Sequence, residues 1–197
     1  MSQLTREFFN RPALPVARDL LGCRLVRVQS GGRMAGLIME TEAYQGEEDL
    51  GCHAAAGKTP RTSVMYGPPG HAYVYFTYGM HWLLNAVTER EGTAAAVLIR
   101  AIHPVEGQDL MAVNRPYKAK KSGWTDGPAK LTQALAVDGT FNTADLCTRE
   151  SGLWIEQGET IPDEVVERTA RIGLNSVPEP WRSIPWRLVV DREAWHG

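Results

Sequence analysis

Apolar and polar residues alternate along several stretches of the chain, and this period of two predicts β-strands. The longer strands are expected at 23–28, 34–42, 71–77, 81–88 and 93–102, and shorter ones at 153–156 and 186–190. Glycine-rich turns separate neighbouring strands, as in Ser30-Gly31-Gly32-Arg33, so we expect most pairs to be antiparallel.

Helical spacing of apolar residues appears between and after these strands. Helices are predicted at 14–22, 106–114, 128–136 and 163–172. Residues 45–71 are instead rich in Gly and Pro, which predicts a long ordered loop of the kind that often carries function. The pattern as a whole predicts an α+β fold: one compact domain spanning 1–197, with a curved, predominantly antiparallel sheet and flanking helices.

Length and hydropathy narrow the class of protein. With 197 residues, 43% of them apolar, the chain is long enough for one domain with a substantial core. The N-terminal residues lack the apolar run of a signal peptide, and no segment approaches the roughly 18 apolar residues of a membrane span. We expect a soluble monomer without a membrane partner or an obligate protein partner. Its expected location is the cytoplasm, with the nucleoid as its site in a prokaryote.

Cysteine and histidine spacing gives no sign of a metal or disulfide site. Cys23, Cys52 and Cys147 are far apart and odd in number, so free thiols are expected. The five histidines show neither HExxH nor HxH spacing. The sequence therefore predicts no metal and no other cofactor.

Charge is unevenly distributed along the chain. The formal net charge is −2, which argues mildly against a surface that binds polyphosphate everywhere. Residues 100–132 nevertheless contain six basic and three acidic side chains, including an exposed basic loop predicted at 115–123. Residues 141–170 contain two basic and seven acidic ones. We expect a two-faced domain, one side of which can meet phosphates.

Ionisable residues at strand ends are the first candidates for chemistry. Glu40 and Glu42 share one strand face because side chains alternate along a strand. Arg100 ends the apolar strand Ala94–Ile99 and needs a partner, for which Glu42 is our choice. Two carboxylates on one face are typical of glycoside hydrolysis. Spacing alone fits solvent-facing charges equally well.

An aromatic strand supplies the second group of candidates. Tyr73, Tyr75 and Thr77 share one face, and Tyr78 falls in the following turn. Aromatic faces can stack on nucleic-acid bases. An aromatic strand also commonly packs into a core with its hydroxyl groups hydrogen-bonded, and the pattern alone leaves both interpretations open.

A series of ordered motifs resembles the alkyladenine (3-methyladenine) DNA glycosylase family from about residue 8 to 192. These motifs are Glu40-Thr41-Glu42-Ala43-Tyr44, His53, Thr59-Pro60-Arg61, Tyr73-Val74-Tyr75, Tyr78-Gly79-Met80, Asn85, Leu98-Ile99-Arg100-Ala101 and Gly127-Pro128-Ala129-Lys130-Leu131. The order and most spacings match, which is far more specific than any single motif. The resemblance implies a monofunctional enzyme that flips damaged purines out of double-stranded DNA and hydrolyses the N-glycosidic bond.

The resemblance also implies roles for individual residues. Glu42 would activate the attacking water, with Arg100 and the backbone carbonyl of Ile172 helping to hold it. The base would lie between Tyr44 and Tyr75. His53, Asn85 and Leu98 would form the wall of the base pocket. Tyr78 would act as a wedge in the duplex, with Met80 beside it. Arg61 and Lys130 would contact the phosphates of the DNA backbone.

The implied substrates are alkylated or deaminated purines. 3-Methyladenine and 7-methylguanine are cationic and leave readily, whereas hypoxanthine and ethenoadenine are neutral and harder to excise. Two other functions remain open at this stage. One is a binding module that stacks bases on Tyr44, Tyr75 and Tyr78 without catalysis. The other is a nucleoside hydrolase that uses Glu40 and Glu42 on small substrates.

Overall fold

The computed structural model describes residues 1–115 and 123–196, and it has the predicted α+β architecture of a curved sheet with flanking helices. The strands in the described part of the chain are β1 (Arg24–Gln29), β2 (Gly32–Gln45), β3 (Ala72–Thr77), β4 (His81–Val87), β5 (Ala95–Glu106), β6 (Leu153–Glu156), β7 (Val166–Thr169) and β8 (Arg187–Val190). The α-helices there are α1 (Arg6–Phe9), α2 (Ala13–Asp19), α3 (Gln108–Asn114), α4 (Pro128–Ala134) and α5 (Arg192–His196).

The strands form one antiparallel sheet whose centre is the long strand β2. The order is β3-β4-β5-β2-β1-β6, and β8 pairs with both β2 and β7. The β2–β5 register shifts between Ile38 and Glu40 and again between Glu40 and Thr41. Irregularities of this kind bend a strand and increase its twist. Residues 40–42 also pair with β8, so the bend lies where strands meet β2 on both sides.

The core lies between the sheet and the helices. Val16 and Ala17 on α2 are fully buried, as are Leu84 on β4 and Ile99 on β5. The Thr41 hydroxyl donates to the carbonyl oxygen of Ala17 at 2.9 Å, which fixes α2 against the bend in β2. One face of β2 therefore packs against α2, and polar side chains can lie on the other face.

The predicted helix over 163–172 is wrong. A single 3-10 turn, Asp163–Val165, follows Pro162, and the chain then enters strand β7. The acidic residues in this segment suit a helix, but β-branched Val165, Val166 and Thr169 favour an extended backbone. Strand β8 pairs with β2 along one edge, and its other edge would leave backbone groups without partners. Residues 166–169 of β7 pair with that edge. Tertiary pairing thus overrides a weak local preference.

The other predicted elements differ only at their ends. Strands β2 and β5 are longer than expected, and short helices α1 and α5 were not predicted. The loop 45–71 contains two 3-10 helices, His53–Ala56 and Ser63–Tyr66. Residues 116–122 of the predicted basic loop 115–123 lie outside the described part of the chain. Within the described ranges, none of the helices has the length and apolar character needed to span a membrane.

Candidate active site

Glu42 lies at the bend of β2 with its side chain fully buried. Its Oε2 accepts a hydrogen bond from the Tyr44 hydroxyl at 2.7 Å and lies 3.3 Å from the Arg100 guanidinium. Its Oε1 accepts from the backbone N–H of Ile172 at 2.7 Å. A buried carboxylate is costly unless it is paired and hydrogen-bonded, and both of its oxygens are satisfied here. The alternative of a solvent-facing strand-end charge is wrong for this residue.

Glu40 lies on the same face and completes an ion-pair network. Its Oε1 accepts from Arg100 Nε at 2.7 Å and from Arg187 Nε at 2.6 Å. Arg100 therefore makes the predicted contact with Glu42, but its shorter contact is with Glu40. Arg187 was missed by sequence reasoning, although it lies in the predicted strand 186–190, and the pairing of β8 with β2 brings it to the site.

A cavity of about 310 Å³ opens beside this network. That volume is within the range of small-molecule sites. Glu42 itself is behind the cavity wall, in contact with two residues that form it, Tyr44 and Arg100. The sequence-predicted residues that line the cavity are Tyr44, His53, Tyr75, Tyr78, Asn85, Leu98, Arg100 and Ile172.

Aromatic rings dominate one side of the cavity. His53 packs edge-on against Tyr75 with ring centres 4.7 Å apart, and its Nδ1 lies 3.0 Å from the Tyr73 hydroxyl. Burial, together with the positive charge of Arg61, lowers the pKa of His53 from 6.5 to about 4, so the ring is uncharged at neutral pH. Burial also raises the pKa of Tyr44, which keeps its hydroxyl protonated as a donor to Glu42.

The three tyrosines singled out in the β3 segment occupy different environments. Tyr73 is buried, so the core interpretation is correct for this residue. Tyr75 is partly exposed to the cavity. Tyr78 is 84% exposed at the tip of the β3–β4 hairpin, where a core role is excluded.

Asn85 and Leu98 form part of the cavity wall. The Asn85 side-chain amide donates to the carbonyl oxygen of Tyr73 at 3.0 Å, which fixes its orientation. Leu98 pairs in register with both Asn85 on β4 and Glu42 on β2. Both side chains are buried, so this wall is rigidly built.

The hairpin tip presents apolar side chains to solvent. Tyr78 and Gly79 both have positive φ, at 52° and 67°. A positive φ is uncommon for a bulky residue and often marks a functional site. Met80 follows and is 66% exposed. The turn therefore holds an aromatic ring and a thioether outside the fold beside the cavity mouth.

The predicted phosphate contacts lie outside the cavity lining. Arg61 is exposed and places its guanidinium 5.0 Å from the centre of the Tyr75 ring. Lys130 is exposed on α4, and its Nζ donates to the carbonyl oxygen of Gly123 at 3.1 Å. Pro128 of the same helix lines the cavity, so Lys130 lies two residues from its rim. The predicted use of the Ile172 carbonyl stays a prediction, since the observed bond to Glu42 involves its N–H.

Arg171 and Asp49 were missed by sequence reasoning. They form a fully buried ion pair, with Arg171 Nη1 2.5 Å from Asp49 Oδ2 and Nη2 2.8 Å from Oδ1. Asp49 falls in a polar loop and Arg171 in a segment predicted to be helical, and 122 residues separate them. Only the fold brings them together.

The model of the family described as Methylpurine-DNA glycosylase (MPG) matches residues 7–194. A protein of Carboxydothermus hydrogenoformans named "Putative 3-methyladenine DNA glycosylase" is 49% identical over 98% of this chain and 97% of its own length. Proteins with the same name from Methanocella arvoryzae and Myxococcus xanthus are each 47% identical, over 92% and 100% of this chain and 92% and 93% of their own lengths. The chain therefore belongs to the methylpurine-DNA glycosylase family, whose members are hydrolases acting on N-glycosyl bonds.

Proposed function

We propose that the protein is a monofunctional DNA glycosylase that extrudes damaged purines from duplex DNA and hydrolyses the N-glycosidic bond with a Glu42-activated water. The observation that carries the proposal is a buried carboxylate, held by two hydrogen bonds and an ion pair, directly behind the wall of an aromatic cavity. Family membership supports DNA and alkylated bases as the substrate class.

The chemical step follows from the arrangement around Glu42. The water oxygen attacks the sugar carbon C1′, and Glu42 accepts the water proton. The bonding electrons between C1′ and the purine nitrogen leave with the base. Among the described residues that line the cavity there is no lysine, which favours water over an amine as the nucleophile. The product is an abasic site.

The cavity chemistry suits a cationic purine. Tyr44 and Tyr75 offer π faces, to which a cationic ring is attracted. His53 is uncharged at neutral pH and so does not repel the base. Alkylated purines such as 3-methyladenine and 7-methylguanine are cationic and also unpair more easily, so both flipping and binding select them. Hypoxanthine and ethenoadenine are neutral and belong to the proposed range as slower substrates.

The hairpin tip favours duplex DNA over a free nucleoside. An exposed apolar side chain beside a base pocket is suited to fill the gap that an extruded nucleotide leaves. Tyr78 occupies that place, with Met80 next to it. Arg61 and Lys130 are proposed to contact the flanking phosphates, because both are exposed near the cavity.

The proposal is tested by incubating the purified protein, without metal, with duplexes that contain one hypoxanthine, one ethenoadenine or one 7-methylguanine. Hot alkali then cleaves any abasic site, and strand lengths are separated. We expect cleavage at the lesion that depends on alkali, and no hydrolysis of free inosine under the same conditions. Failure to release any of the three bases contradicts the proposal, and hydrolysis of inosine at a comparable rate favours a nucleoside hydrolase.

A further inference from the structure

Arg171 makes several contacts in addition to its buried ion pair with Asp49. Besides the two bonds to Asp49, Arg171 donates to the carbonyl oxygens of Ala43 at 2.9 Å and Trp181 at 3.2 Å. Its guanidinium also lies 4.7 Å from the centre of the Tyr44 ring and 5.3 Å from that of Trp186. The cation is thus held by hydrogen bonds and lies over two aromatic rings.

Two of these contacts, and the position of Arg171 in the chain, lead to groups around Glu42. Tyr44, whose ring is stacked on Arg171, donates its hydroxyl proton to Glu42. Ala43, whose carbonyl oxygen accepts from Arg171, lies between Glu42 and Tyr44 in the chain. Ile172, the next residue after Arg171, gives Glu42 its backbone hydrogen bond. Both groups that donate hydrogen bonds to Glu42, the Tyr44 hydroxyl and the Ile172 N–H, are therefore next to Arg171, one in space and one in the chain.

Asp49 links this arrangement to the loop that forms another part of the cavity. Its carboxylate accepts from the backbone N–H groups of Gln45 at 3.2 Å and Gly51 at 2.9 Å. Gly51 lines the cavity, and a Cβ there would come within 2.7 Å of Arg171. The Arg171–Asp49 pair therefore joins the loop to the segment after β7 beside Tyr44.

The position of Arg171 relative to Tyr44 also determines how its positive charge acts on a bound base. Tyr44 lines the cavity, whereas Arg171 is fully buried and does not, so Arg171 packs on Tyr44 away from the cavity. A base bound against Tyr44 would place the ring between itself and the guanidinium. Because Asp49 neutralises Arg171 through a bidentate contact, the cation stiffens the ring without opposing a cationic base.

We propose that Arg171 and Asp49 are positioning residues for base excision, which hold Tyr44 and the Ile172 N–H in place around Glu42. The inference rests on the proposed function, since it concerns the same site. It assigns the pair a role in the rate of the chemical step in addition to its role in stability.

The test requires variants that fold. Replacing Arg171 alone with an apolar residue would strand a buried carboxylate, which is strongly destabilising. Arg171→Lys keeps a cation for Asp49 but loses the fork and the flat stacking surface. The double variant Asp49→Asn with Arg171→Met removes both charges together, which is far milder. Arg33→Lys is the matched control, because Arg33 pairs with buried Glu156 and lies 6.0 Å from the Trp154 ring on another part of the sheet.

The measurement is the single-turnover excision rate at saturating enzyme, which reports the folded complex and not the amount of folded protein. We expect both Arg171 variants to lose about tenfold to 10²-fold in this rate, the range for a catalytic group displaced by an ångström. Lesion-duplex affinity should change less, and Arg33→Lys should keep the parent rate. Folded Arg171 variants that excise at the parent rate would overturn the proposal, as would an equal loss in Arg33→Lys.

A crystal structure of Arg171→Lys separates this inference from the proposed function. Displacement of Tyr44 or loss of the Ile172 bond to Glu42 supports the positioning role even if the parent protein excises none of the lesions tested. An unchanged arrangement around Glu42 overturns it whatever the activity.

Discussion

At the scale of single residues, hydrogen bonds and ion pairs offset the cost of burying the charged groups of the site. Glu42 has no exposure, yet each of its oxygens has a donor within 2.7 Å. Glu40 is satisfied in turn by two arginines. Sequence reasoning could find Glu40, Glu42 and Arg100, because charges inside apolar strands are conspicuous. It missed Arg187, although this residue lies between Trp186 and Leu188 in a predicted apolar strand, and it missed Arg171, because the partners of both are more than 100 residues away.

His53 makes a prediction about stability and pH. Its pKa is lowered from 6.5 to about 4 by burial and by Arg61, so between these values the unfolded chain binds a proton that the folded protein rejects. The free energy of unfolding should therefore fall as pH decreases through this window. His53→Phe lacks the titrating group and should lose less stability from pH 6.5 to 4. Urea unfolding at several pH values measures both slopes, and identical slopes for parent and variant would contradict the assignment.

At the scale of elements, the sheet could be predicted from the sequence because its strands carry clear alternation and its turns carry glycine. The helix predicted at 163–172 failed because the competing partner, strand β8, lies twenty or so residues away and no local pattern reveals it. The bend in β2 is likewise invisible in the sequence. It depends on β2 pairing with β5 on one side and β8 on the other, and it is this bend that places Glu42.

The β3–β4 hairpin makes a prediction about base extrusion. Tyr78→Ser should leave folding unchanged, because the side chain is 84% exposed, but should weaken extrusion of the damaged base. The fluorescence of ethenoadenine in a duplex reports extrusion directly, and thermal unfolding reports the fold. Val28→Ser, at an exposed apolar position on β1, is the control and should alter neither extrusion nor excision. Extrusion by the Tyr78 variant at the parent level would contradict the wedge role.

At the scale of the whole molecule, the fold gathers functional groups from segments far apart in the chain. The loop 45–71, the hairpin tip, strand β5 and the segment after β7 all reach one cavity. Order and spacing of motifs could predict several of the residues that line this cavity. Their contacts could not be predicted, since a net charge of −2 and separate local patterns do not fix which basic groups face the cavity.

The exposed basic residues make a prediction about DNA affinity. Each phosphate contact releases counterions, so affinity for lesion duplex falls with salt. Arg61→Ala and Lys130→Ala should each weaken binding and reduce the slope of log K against log salt by about 1. Arg11→Ala is the control, because Arg11 is already paired with Asp19 at 2.8 Å. Titrations at several salt concentrations measure the slopes, and unchanged slopes for Arg61 and Lys130 variants would remove them from the phosphate contacts.

The most direct test of the account compares Glu42→Gln with Glu40→Gln in single-turnover excision of hypoxanthine or 7-methylguanine from duplex DNA. Loss of the general base should slow Glu42→Gln by about 10² or more while lesion binding is retained. Glu40→Gln should lose less, because the proposal assigns the water to Glu42 and leaves Glu40 to hold Arg100. Excision by folded Glu42→Gln at the parent rate would contradict the central claim that this buried carboxylate activates the water.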